Sequence, residues 1–343
     1  MRLLIVTQKV DASDGNLGFF VRWLARFAEK TELTVIANEV GAHELPASVR
    51  VYSLGKEGGA SRLSRVLAYQ RLLLRLLPNT DGVFFHMCPE YALGAHLLPR
   101  LFGVRTVLWY VHKQVSLRLR LATMLVHAVC TASKESFRLQ SRKVRVIGHG
   151  IDTELFSGKK EKETGLRLLS VGRIAPVKDL RTLLIGFFKL QKKYAEASLS
   201  FVGETVTAQD TAYQGELSRA IQEHSLQAKA RFAGKVLYAD LPKLYSEYTL
   251  FVHASRTGSV DKVVLEALAS GLPVFTSSEA FGEDIPGVWK FPEGEGGKLA
   301  EVISRVFESG GIVYTTKGRE WVEKHHSQDG LIDAILAVYP AQK

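Results

Sequence analysis

The sequence of 343 residues is poor in cysteine and has no long uninterrupted hydrophobic run. Its two cysteines, Cys88 and Cys130, cannot form a disulfide framework, and their neighbours lack the spacing of metal ligands. The longest apolar stretch, Leu63 to Leu77, is interrupted by three arginines, and no stretch approaches the roughly 20 residues that span a bilayer. These absences argue against a disulfide-stabilised secreted domain and against a membrane-spanning protein.

The first residues of the sequence give no indication of a signal peptide. Residues 1–7 are a short strand-like run with neither the apolar region nor the cleavage site of a signal peptide. Together with the low cysteine content, this run leads us to expect a cytoplasmic protein.

Positive charge is concentrated in the first half of the chain. Residues 1–150 contain 21 Lys+Arg and 10 Asp+Glu, whereas residues 151–343 contain 24 and 25. A one-sided basic domain indicates an anionic partner: a membrane surface, a phosphorylated acceptor or nucleic acid. The lack of a recognised nucleic-acid module argues against nucleic acid. We expect peripheral contact with an anionic membrane, at its inner face, through Leu63–Leu77 and Lys113–Arg120. The alternative is that the arginines of these segments simply face water.

Strand-like and helical segments alternate along both halves, and the length allows two domains that each bury a core. Such alternation predicts an α/β fold with parallel, doubly wound sheets. Helices are predicted over 19–30, 61–77, 312–326 and 328–339. Strands are predicted at 3–7, 33–37, 82–86, 105–111, 129–132 and 144–147 in the first half, and at 166–171, 198–202, 230–233, 250–253 and 273–276 in the second.

The segment Ser255–Val274 follows a predicted strand and combines a polar turn with a helix. The helix carries a single carboxylate, Glu266, and is followed by Gly271, a residue typical of a helix C-cap. A strand that turns directly into a helix points the helix N–H groups at the carboxyl edge of the sheet, where open α/β sheets bind anionic ligands. Alone, the segment also fits an ordinary strand–helix crossover whose glutamate faces water.

A second strand–turn–helix segment, Leu168–Asp179, lies upstream. Its glycine turn is flanked by Arg173 and Lys178, and Pro176 suits the first turn of a helix. An arginine contacts two phosphate oxygens with its forked guanidinium group, and a lysine adds a point charge. The pair therefore indicates a pyrophosphate-binding site.

These two segments, V-G-R-I-A-P-V-K-D (171–179) and L-E-A-L-A-S-G-L-P-V (265–274), resemble motifs of the retaining GT-B glycosyltransferases of group 1, also called family 4. A third match, V-I-G-H-G-I-D-T-E-L-F (146–156), resembles the stretch that leads into the second domain of that family. The resemblance implies two Rossmann-like domains facing a central cleft. It implies an acceptor-side domain at residues 1–148, with a helix at 328–343 packed back on it, and a domain for the nucleotide-sugar donor at residues 149–327.

The resemblance also implies roles in donor binding. Arg173 and Lys178 would hold the donor diphosphate and stabilise it as the leaving group, so that no metal ion is needed. Glu266 matches the second glutamate of the family's E-x7-E motif and would accept hydrogen bonds from the nucleotide ribose. The sequence has no D-x-D motif, which agrees with an enzyme that needs neither a metal nor a cofactor besides its donor co-substrate.

The chain departs from the family at the first glutamate of that motif, where it has Gly258. In the family this glutamate lies near the donor sugar, so the usual sugar contacts are in question. Asp261 is the nearest acidic substitute, and its alternative role is to cap the following helix. Ser259 and Lys262 are further candidates for contact with the sugar or phosphate.

Two donor-side candidates belong to the first domain. His112 follows a predicted strand and matches a family histidine near the transferred sugar, which makes it the third catalytic candidate. The alternative is a loop histidine without a role. The turn from Gly15 to Gly18 resembles the glycine loop that lies near the donor phosphates in the family.

Three further residues complete the candidates. His86 and Glu90 follow a further predicted strand and are candidates for acceptor binding. His149 is expected to pack in the linker between the domains.

The resemblance implies a hexosyltransferase that moves a hexose from a nucleotide diphosphate sugar to an acceptor with retention of configuration. The acceptor is expected to be a sugar, a glycolipid or a polysaccharide intermediate. Two alternatives remain: a non-catalytic relative that binds a sugar nucleotide, which the missing glutamate favours, and a nucleotide-sugar 2-epimerase, which shares the architecture. The sequence identifies neither the donor base and sugar nor the acceptor, linkage and oligomeric state.

Overall fold

The computed structural model describes residues 1–95, 97–157, 165–310 and 316–340. The chain forms two compact units, one comprising Met1–Gly150 with Gln328–Lys343 and the other Ile151–Ser327. The first division between the units thus follows residue 150, whereas the sequence analysis places it after residue 148. Within the described ranges, no helix has both the length and the apolar composition needed to cross a bilayer.

The first unit is built on a seven-stranded parallel sheet with the strand order β3-β2-β1-β4-β5-β6-β7. Its central strands each contain a continuous apolar run, Leu3–Val6 in β1 and Val83–Phe85 in β4, as burial on both faces requires. The predicted parallel, doubly wound sheet is confirmed for this unit. The strands are β1 (Arg2–Val10), β2 (Glu32–Val40), β3 (Arg50–Ser53), β4 (Gly82–His86), β5 (Arg105–Trp109), β6 (Ala128–Thr131) and β7 (Val144–Val146).

Helices cover both faces of this sheet. On one face α1 packs against the last helix of the chain, Gln328–Leu336, and Tyr339 beyond that helix donates a hydrogen bond to the Val83 carbonyl at 2.9 Å. On the other face α2, α3 and α5 share a second apolar core. The helices are α1 (Gly18–Lys30), α2 (Arg62–Leu76), α3 (Pro89–Ala95), α4 (Leu98–Leu101) and α5 (Leu117–Leu125).

The second unit is built on a six-stranded parallel sheet with the order β10-β9-β8-β11-β12-β13. Both units are therefore Rossmann-like. Its strands are β8 (Arg167–Val171), β9 (Ser198–Val202), β10 (Ala230–Gly234), β11 (Leu250–His253), β12 (Val274–Thr276) and β13 (Val288–Lys290). Its helices are α6 (Leu180–Lys193), α7 (Ala208–Glu223), α8 (Leu241–Ser246), α9 (Lys262–Ala269), α10 (Gly296–Glu308) and α11 (Thr316–His326). The last helix of the chain, which belongs to the first unit, is α12 (Gln328–Leu336).

The structure departs from the predicted elements in several places. Strands β1 and β2 each extend three residues beyond the predicted end, to Val10 and Val40, and helices α3 and α4 were not predicted. The edge strands β3 and β13 were not predicted. They are only four and three residues long and lack the continuous apolar run that indicates a strand. Strand β5 ends at Trp109, two residues before the predicted end. The helix predicted from Ile312 begins at residues outside the described ranges, and its described part is α11.

Helix α9 ends at the position that the glycine after it predicts. Gly271 has φ +77°, its N–H donates to the Leu268 carbonyl, and the next N–H, of Leu272, donates to Ala267. These two bonds form a Schellman motif, which requires the left-handed conformation that glycine adopts without strain. The motif stops the helix and returns the chain to β12.

Candidate functional site

The candidate donor site lies at the carboxyl edge of the second unit's sheet, where β8 and β11 are neighbours. The loop after β8 turns at Gly172 (φ +143°) and passes close to Gly203, which follows β9. A Cβ atom on Gly203 would overlap the Gly172 carbonyl, so the close approach of the two loops requires glycine. This approach sets the path of the chain into Arg173.

Arg173 leaves this loop with its side chain 45% exposed. Its Nε lies 3.7 Å from Asp210 Oδ2, which is a weak ion pair rather than a hydrogen bond. Asp210 is otherwise engaged in the capping box at the start of α7, where its carboxylate accepts from the backbone of Thr207. The guanidinium group therefore has donors available for an anion.

The turn after Arg173 differs in detail from the sequence-based expectation. Pro176 opens a short 3-10 turn, Pro176–Lys178, rather than the first turn of α6. Asp179 interrupts the helix because it adopts a left-handed conformation (φ +46°), and α6 begins one residue later. Its carboxylate accepts hydrogen bonds from Thr182 Oγ1 at 2.8 Å and from Arg256 Nη2 at 2.7 Å, which holds this unusual turn in place.

Lys178, at the end of the 3-10 turn, is tied to the other strand–turn–helix segment. Its ammonium group donates to Asp261 Oδ2 at 2.7 Å and to Ser255 Oγ at 3.3 Å. The structure thus brings together two of the predicted donor-binding residues. Arg173 and Lys178 also line the same small cavity, together with His253.

His253 is a functional candidate that the sequence analysis missed. It is the last residue of β11, and its Nε2 lies 2.8 Å from Asp261 Oδ2 while its Nδ1 lies 2.9 Å from Thr276 Oγ1. Burial lowers the pKa of His253, although the bond to Asp261 opposes this effect. A neutral ring with its proton on Nε2 satisfies both contacts. The position of a polar residue at the carboxyl end of a buried strand was the signal that could have identified it.

Asp261 carries the negative charge of this network. Burial disfavours the charged carboxylate, but the hydrogen bond from His253 and the charge of Lys178 outweigh burial and hold the pKa of Asp261 well below its usual range. Asp261 occupies the N-cap position of α9 by its backbone, yet its side chain makes no capping hydrogen bond. The carboxylate therefore faces the cations and not the helix N–H groups.

Glu266 lies within α9 and is almost completely buried, with 2% of its surface exposed. Its Oε2 accepts a hydrogen bond from the Tyr245 hydroxyl at 3.2 Å. Burial raises the pKa of Glu266 to about 7, against the opposing effects of Lys262 and Tyr245. Burial likewise lowers the pKa of Lys262, one helical turn earlier, well below its usual value. The ribose contact of Glu266 stays a prediction.

The polar turn between β11 and α9 is ordered by its own side chains. Arg256 bridges Asp179 at 2.7 Å and Glu293 at 3.2 Å. Ser259 Oγ donates to Thr257 Oγ1 at 3.3 Å. Gly258, which replaces the family glutamate, has φ +62°. A glutamate at this backbone conformation would be strained, so the local fold and the departure from the motif agree.

The donor-side candidates of the first unit lie in the loop after β5 and in the turn where α1 begins. His112 lies in an exposed loop after β5, and its Nδ1 accepts a hydrogen bond from the Gln114 N–H at 3.1 Å. Gly18 starts α1, and a Cβ there would lie 2.8 Å from the Ala12 carbonyl oxygen, so only glycine fits. Gly15 is exposed in the turn before it.

The acceptor candidates differ in exposure. The His86 ring is buried, stacks on Phe20 with a centroid distance of 3.7 Å, and lies 3.1 Å from Thr7 Oγ1. Glu90 is exposed and pairs with Arg118 at 2.9 Å. His149 is buried between two tryptophans of the first unit. His86 would thus reach an acceptor only after its aromatic cover moved, whereas Glu90 is accessible.

In the described part of the chain, no group of three or more His, Cys, Asp or Glu side chains is arranged to hold a metal ion. Arg173 and Lys178 supply positive charge to the cavity that they line. Independence from metal stays a prediction.

Comparison with known proteins identifies related sequences for the second unit. Residues 152–310 match the family model described as "Glycosyl transferases group 1". Mannosylfructose-phosphate synthase of Agrobacterium fabrum is 29% identical over 151 residues, which are 40% of this chain and 33% of that protein. Alpha-monoglucosyldiacylglycerol synthase of Streptococcus pneumoniae is 26% identical over 151 residues, with the same coverage. The match thus spans about a third of the length of these curated relatives.

Similarity to solved structures extends over both units. The crystal structure of Anabaena Alr3699/HepE in complex with UDP has a TM-score of 0.77 and 17% sequence identity, and covers 98% of this chain and 99% of the Anabaena chain. At this identity the similarity establishes the fold. The predicted GT-B fold with two Rossmann-like domains is confirmed.

Proposed function

We propose that this chain, whose residues 152–310 belong to the group 1 glycosyl transferases, transfers a hexose from a nucleotide diphosphate sugar to an acceptor, with retention of configuration and without a metal ion. One observation carries the proposal: within the matched segment, Arg173 and Lys178 line one cavity at the carboxyl edge of the sheet. Open α/β sheets bind nucleotides at this edge.

The two cations would act on the leaving group. Arg173 is half exposed and only weakly paired, so its guanidinium group is able to bind the diphosphate. Lys178 would exchange part of its contact with Asp261 for a phosphate oxygen. When the bond between the sugar C1 and the diphosphate oxygen breaks, negative charge develops on that oxygen, and two fixed cations stabilise it. This arrangement supports transfer without a metal.

Retention is proposed from the family membership, with a front-face reaction. The acceptor hydroxyl would attack C1 on the face that the diphosphate leaves, and its proton would pass to the departing phosphate oxygen. No nucleophile of the enzyme is then required. His112 would contact the transferred sugar from its exposed loop, while Glu266 would accept a hydrogen bond from the ribose.

The remaining donor contacts and the acceptor are also proposals. Gly258, Ser259, Asp261 and Lys262 belong to the turn beside Lys178 and are proposed to surround the donor sugar and phosphate. A UDP-sugar is the first donor to test, because the similar Anabaena protein is solved with UDP and with UDP-glucose. The acceptor is proposed to be a sugar, a glycolipid or a polysaccharide intermediate; one matched relative is named a monoglucosyldiacylglycerol synthase.

A second candidate function is favoured by a specific observation. Gly258 replaces a carboxylate, and Lys178 is already neutralised by Asp261, so the chain could bind a sugar nucleotide without transferring the sugar. A nucleotide-sugar 2-epimerase is the third alternative. It would need no acceptor and would interconvert the donor sugar itself.

One experiment separates these functions. The purified protein is incubated with UDP-, GDP- and ADP-sugars in the presence of EDTA, and free nucleotide, free sugar and sugar identity are measured. Slow release of both free nucleotide and free sugar, which shows that the bond between them is broken, supports the transferase. Interconversion of the bound sugar would support the epimerase. Binding without any product would support the non-catalytic relative. A strict requirement for added Mg²⁺ or Mn²⁺ would overturn the metal-independent reaction.

A further inference from the structure

Four helices of the first unit form one continuous layer on a single face of its sheet. Helices α2, α3 and α5 contribute Tyr69, Ala92 and Leu119 to the same buried core, and α4 packs against this core through Leu98. Side chains also join the helices laterally. Gln70 Nε2 donates to the Gly94 carbonyl at 2.7 Å, and Arg100 Nη2 donates to the Leu125 carbonyl at 2.9 Å. We call this layer the α2–α5 layer.

The outer side of this layer is unusually apolar. In α5, Leu117, Leu121 and Met124 are separated by four and three residues, so they form a stripe on the side of the helix away from buried Leu119. Leu117 is 71% exposed and Met124 is 69% exposed. An amphipathic helix normally directs such residues to the core, but here a second apolar stripe faces solvent.

The other helices of the layer carry the same feature. In α2, Leu63, Leu67 and Leu74 are separated by four and seven residues and lie along one side of the helix. Leu63 is 70% exposed, and Leu101 at the end of α4 is 78% exposed. Among the described residues fifteen large hydrophobic side chains are exposed, and ten of them lie between Leu63 and Met124. Such concentration indicates an interaction surface.

The same segment is strongly basic. Residues 62–124 contain nine Lys+Arg and two Asp+Glu, and both acidic residues are paired, Asp81 with Arg2 and Glu90 with Arg118. Arginines of α2 are exposed beside its apolar stripe, notably Arg71 and Arg75. The outer side of the layer therefore combines exposed apolar side chains with unneutralised positive charge.

We propose that the α2–α5 layer is a docking surface for an anionic phospholipid bilayer. Leucine and methionine side chains would enter the boundary between head groups and acyl chains, and the arginines would contact lipid phosphates. Anionic head groups attract clustered basic residues in a salt-dependent way. The apolar stripe matches the acyl chains of such a bilayer, and the net positive charge matches its anionic head groups. The inference does not depend on the proposed function, because it concerns binding without a sugar donor.

The test measures partitioning of the whole chain onto vesicles. Vesicles of phosphatidylcholine alone are compared with vesicles of equal parts phosphatidylcholine and phosphatidylglycerol, at low and high salt. We expect binding to the mixed vesicles at low salt, weaker binding at high salt, and little binding to the neutral vesicles. Replacing Leu63→Glu and Leu117→Glu together should weaken partitioning about tenfold or more, since two inserted leucines are lost.

These two positions preserve the fold because both side chains are mostly exposed and lie in the first turn of a helix, where a glutamate is favourable. The matched control is Ile185→Glu, an exposed aliphatic residue on α6 of the second unit, which should leave partitioning unchanged. Arg71→Gln with Arg75→Gln should reduce the salt-sensitive part of the binding. Thermal melting confirms that each variant is folded.

Two results would overturn the proposal. The first is equal partitioning onto neutral and anionic vesicles, or none onto either. The second is self-association, seen by light scattering as a concentration-dependent increase in size, that Leu63→Glu and Leu117→Glu abolish while vesicle binding persists. That result would assign the layer to a contact between copies of the chain. Neither result would bear on nucleotide release, so failure here is distinguishable from failure of the proposed transferase.

Discussion

Lys178 and Asp261 form an ion pair of 2.7 Å that joins the two strand–turn–helix segments of the second unit. Both side chains are mostly buried, and the carboxylate is held charged by His253 as well as by the lysine. A diphosphate that approaches Lys178 must therefore compete with a carboxylate already in place. Asp261 therefore orients Lys178, and under the proposed function it would also influence donor affinity.

Replacing Arg173→Ala or Lys178→Ala should lower the rate of nucleotide release about a hundredfold or more. The loss of a fixed cation beside the leaving group costs roughly 2–4 kcal/mol in the transition state if it resembles other electrostatic donors. The measurement is steady-state release of nucleotide, with melting curves as the check of folding. Arg181→Ala is the control, because Arg181 pairs at the surface with Glu216. Near-native turnover of both site variants would remove the pair from the mechanism.

The stability contributed by Asp261 should disappear in acid. Because the pKa of Asp261 is lowered in the folded chain, its contribution is present above its unfolded pKa of about 3.9 and is lost as the pH falls below that value. The difference in melting temperature between the parent and Asp261→Asn should thus be large near neutral pH and shrink below about pH 4. Asp240→Asn, an exposed position, is the control. A difference that does not change with pH would contradict the ion-pair interpretation.

Glu266→Gln should stabilise the free protein at alkaline pH. The pKa of Glu266 is raised to about 7, so its protonated form is favoured in the folded state, and stability is lost as the pH rises from about 4 through 7. Removing the charge is expected to raise the free energy of unfolding by up to about 3 kcal/mol above pH 7 and to leave it nearly unchanged below pH 4. Denaturant titrations at both pH values measure this change.

The same variant tests the predicted ribose contact. A glutamine accepts a weaker hydrogen bond than a carboxylate, so nucleotide binding should weaken although the protein is more stable. Calorimetric titration with UDP gives this affinity. If Glu266→Gln binds UDP as tightly as the parent, Glu266 has a structural role only.

Gly258→Ala should destabilise the chain by about 1–2 kcal/mol, because Gly258 adopts φ +62°, a conformation that costs other residues this amount. Gly215→Ala provides a matched control of opposite sign. Gly215 lies within α7 with open space around it, and alanine is better than glycine inside a helix by roughly 0.5–1 kcal/mol. Urea denaturation of the two variants should give shifts in opposite directions. A neutral Gly258→Ala would show that the turn accommodates other residues.

The sequence alone was sufficient to predict the alternating architecture and the most regular elements. Strand β4 and the end of α9 were predictable because an apolar run and a helix-ending glycine are local signals. Arg173, Lys178 and Glu266 were recognisable as candidates because their spacing relative to a glycine turn or to a helix is also local. Short edge strands such as β3 carry no such signal.

Only the tertiary structure decided what the candidate residues contact. Asp261 is 83 residues from Lys178 and eight from His253, and no local pattern reports that the three meet at one carboxylate. The meeting depends on β8 and β11 being neighbours in the sheet, which is a matter of strand order. Likewise, the helical periodicity of α2 was visible in the sequence. Packing settled which of its apolar residues face the core and which face solvent, because burial depends on the neighbours that a helix acquires in the fold.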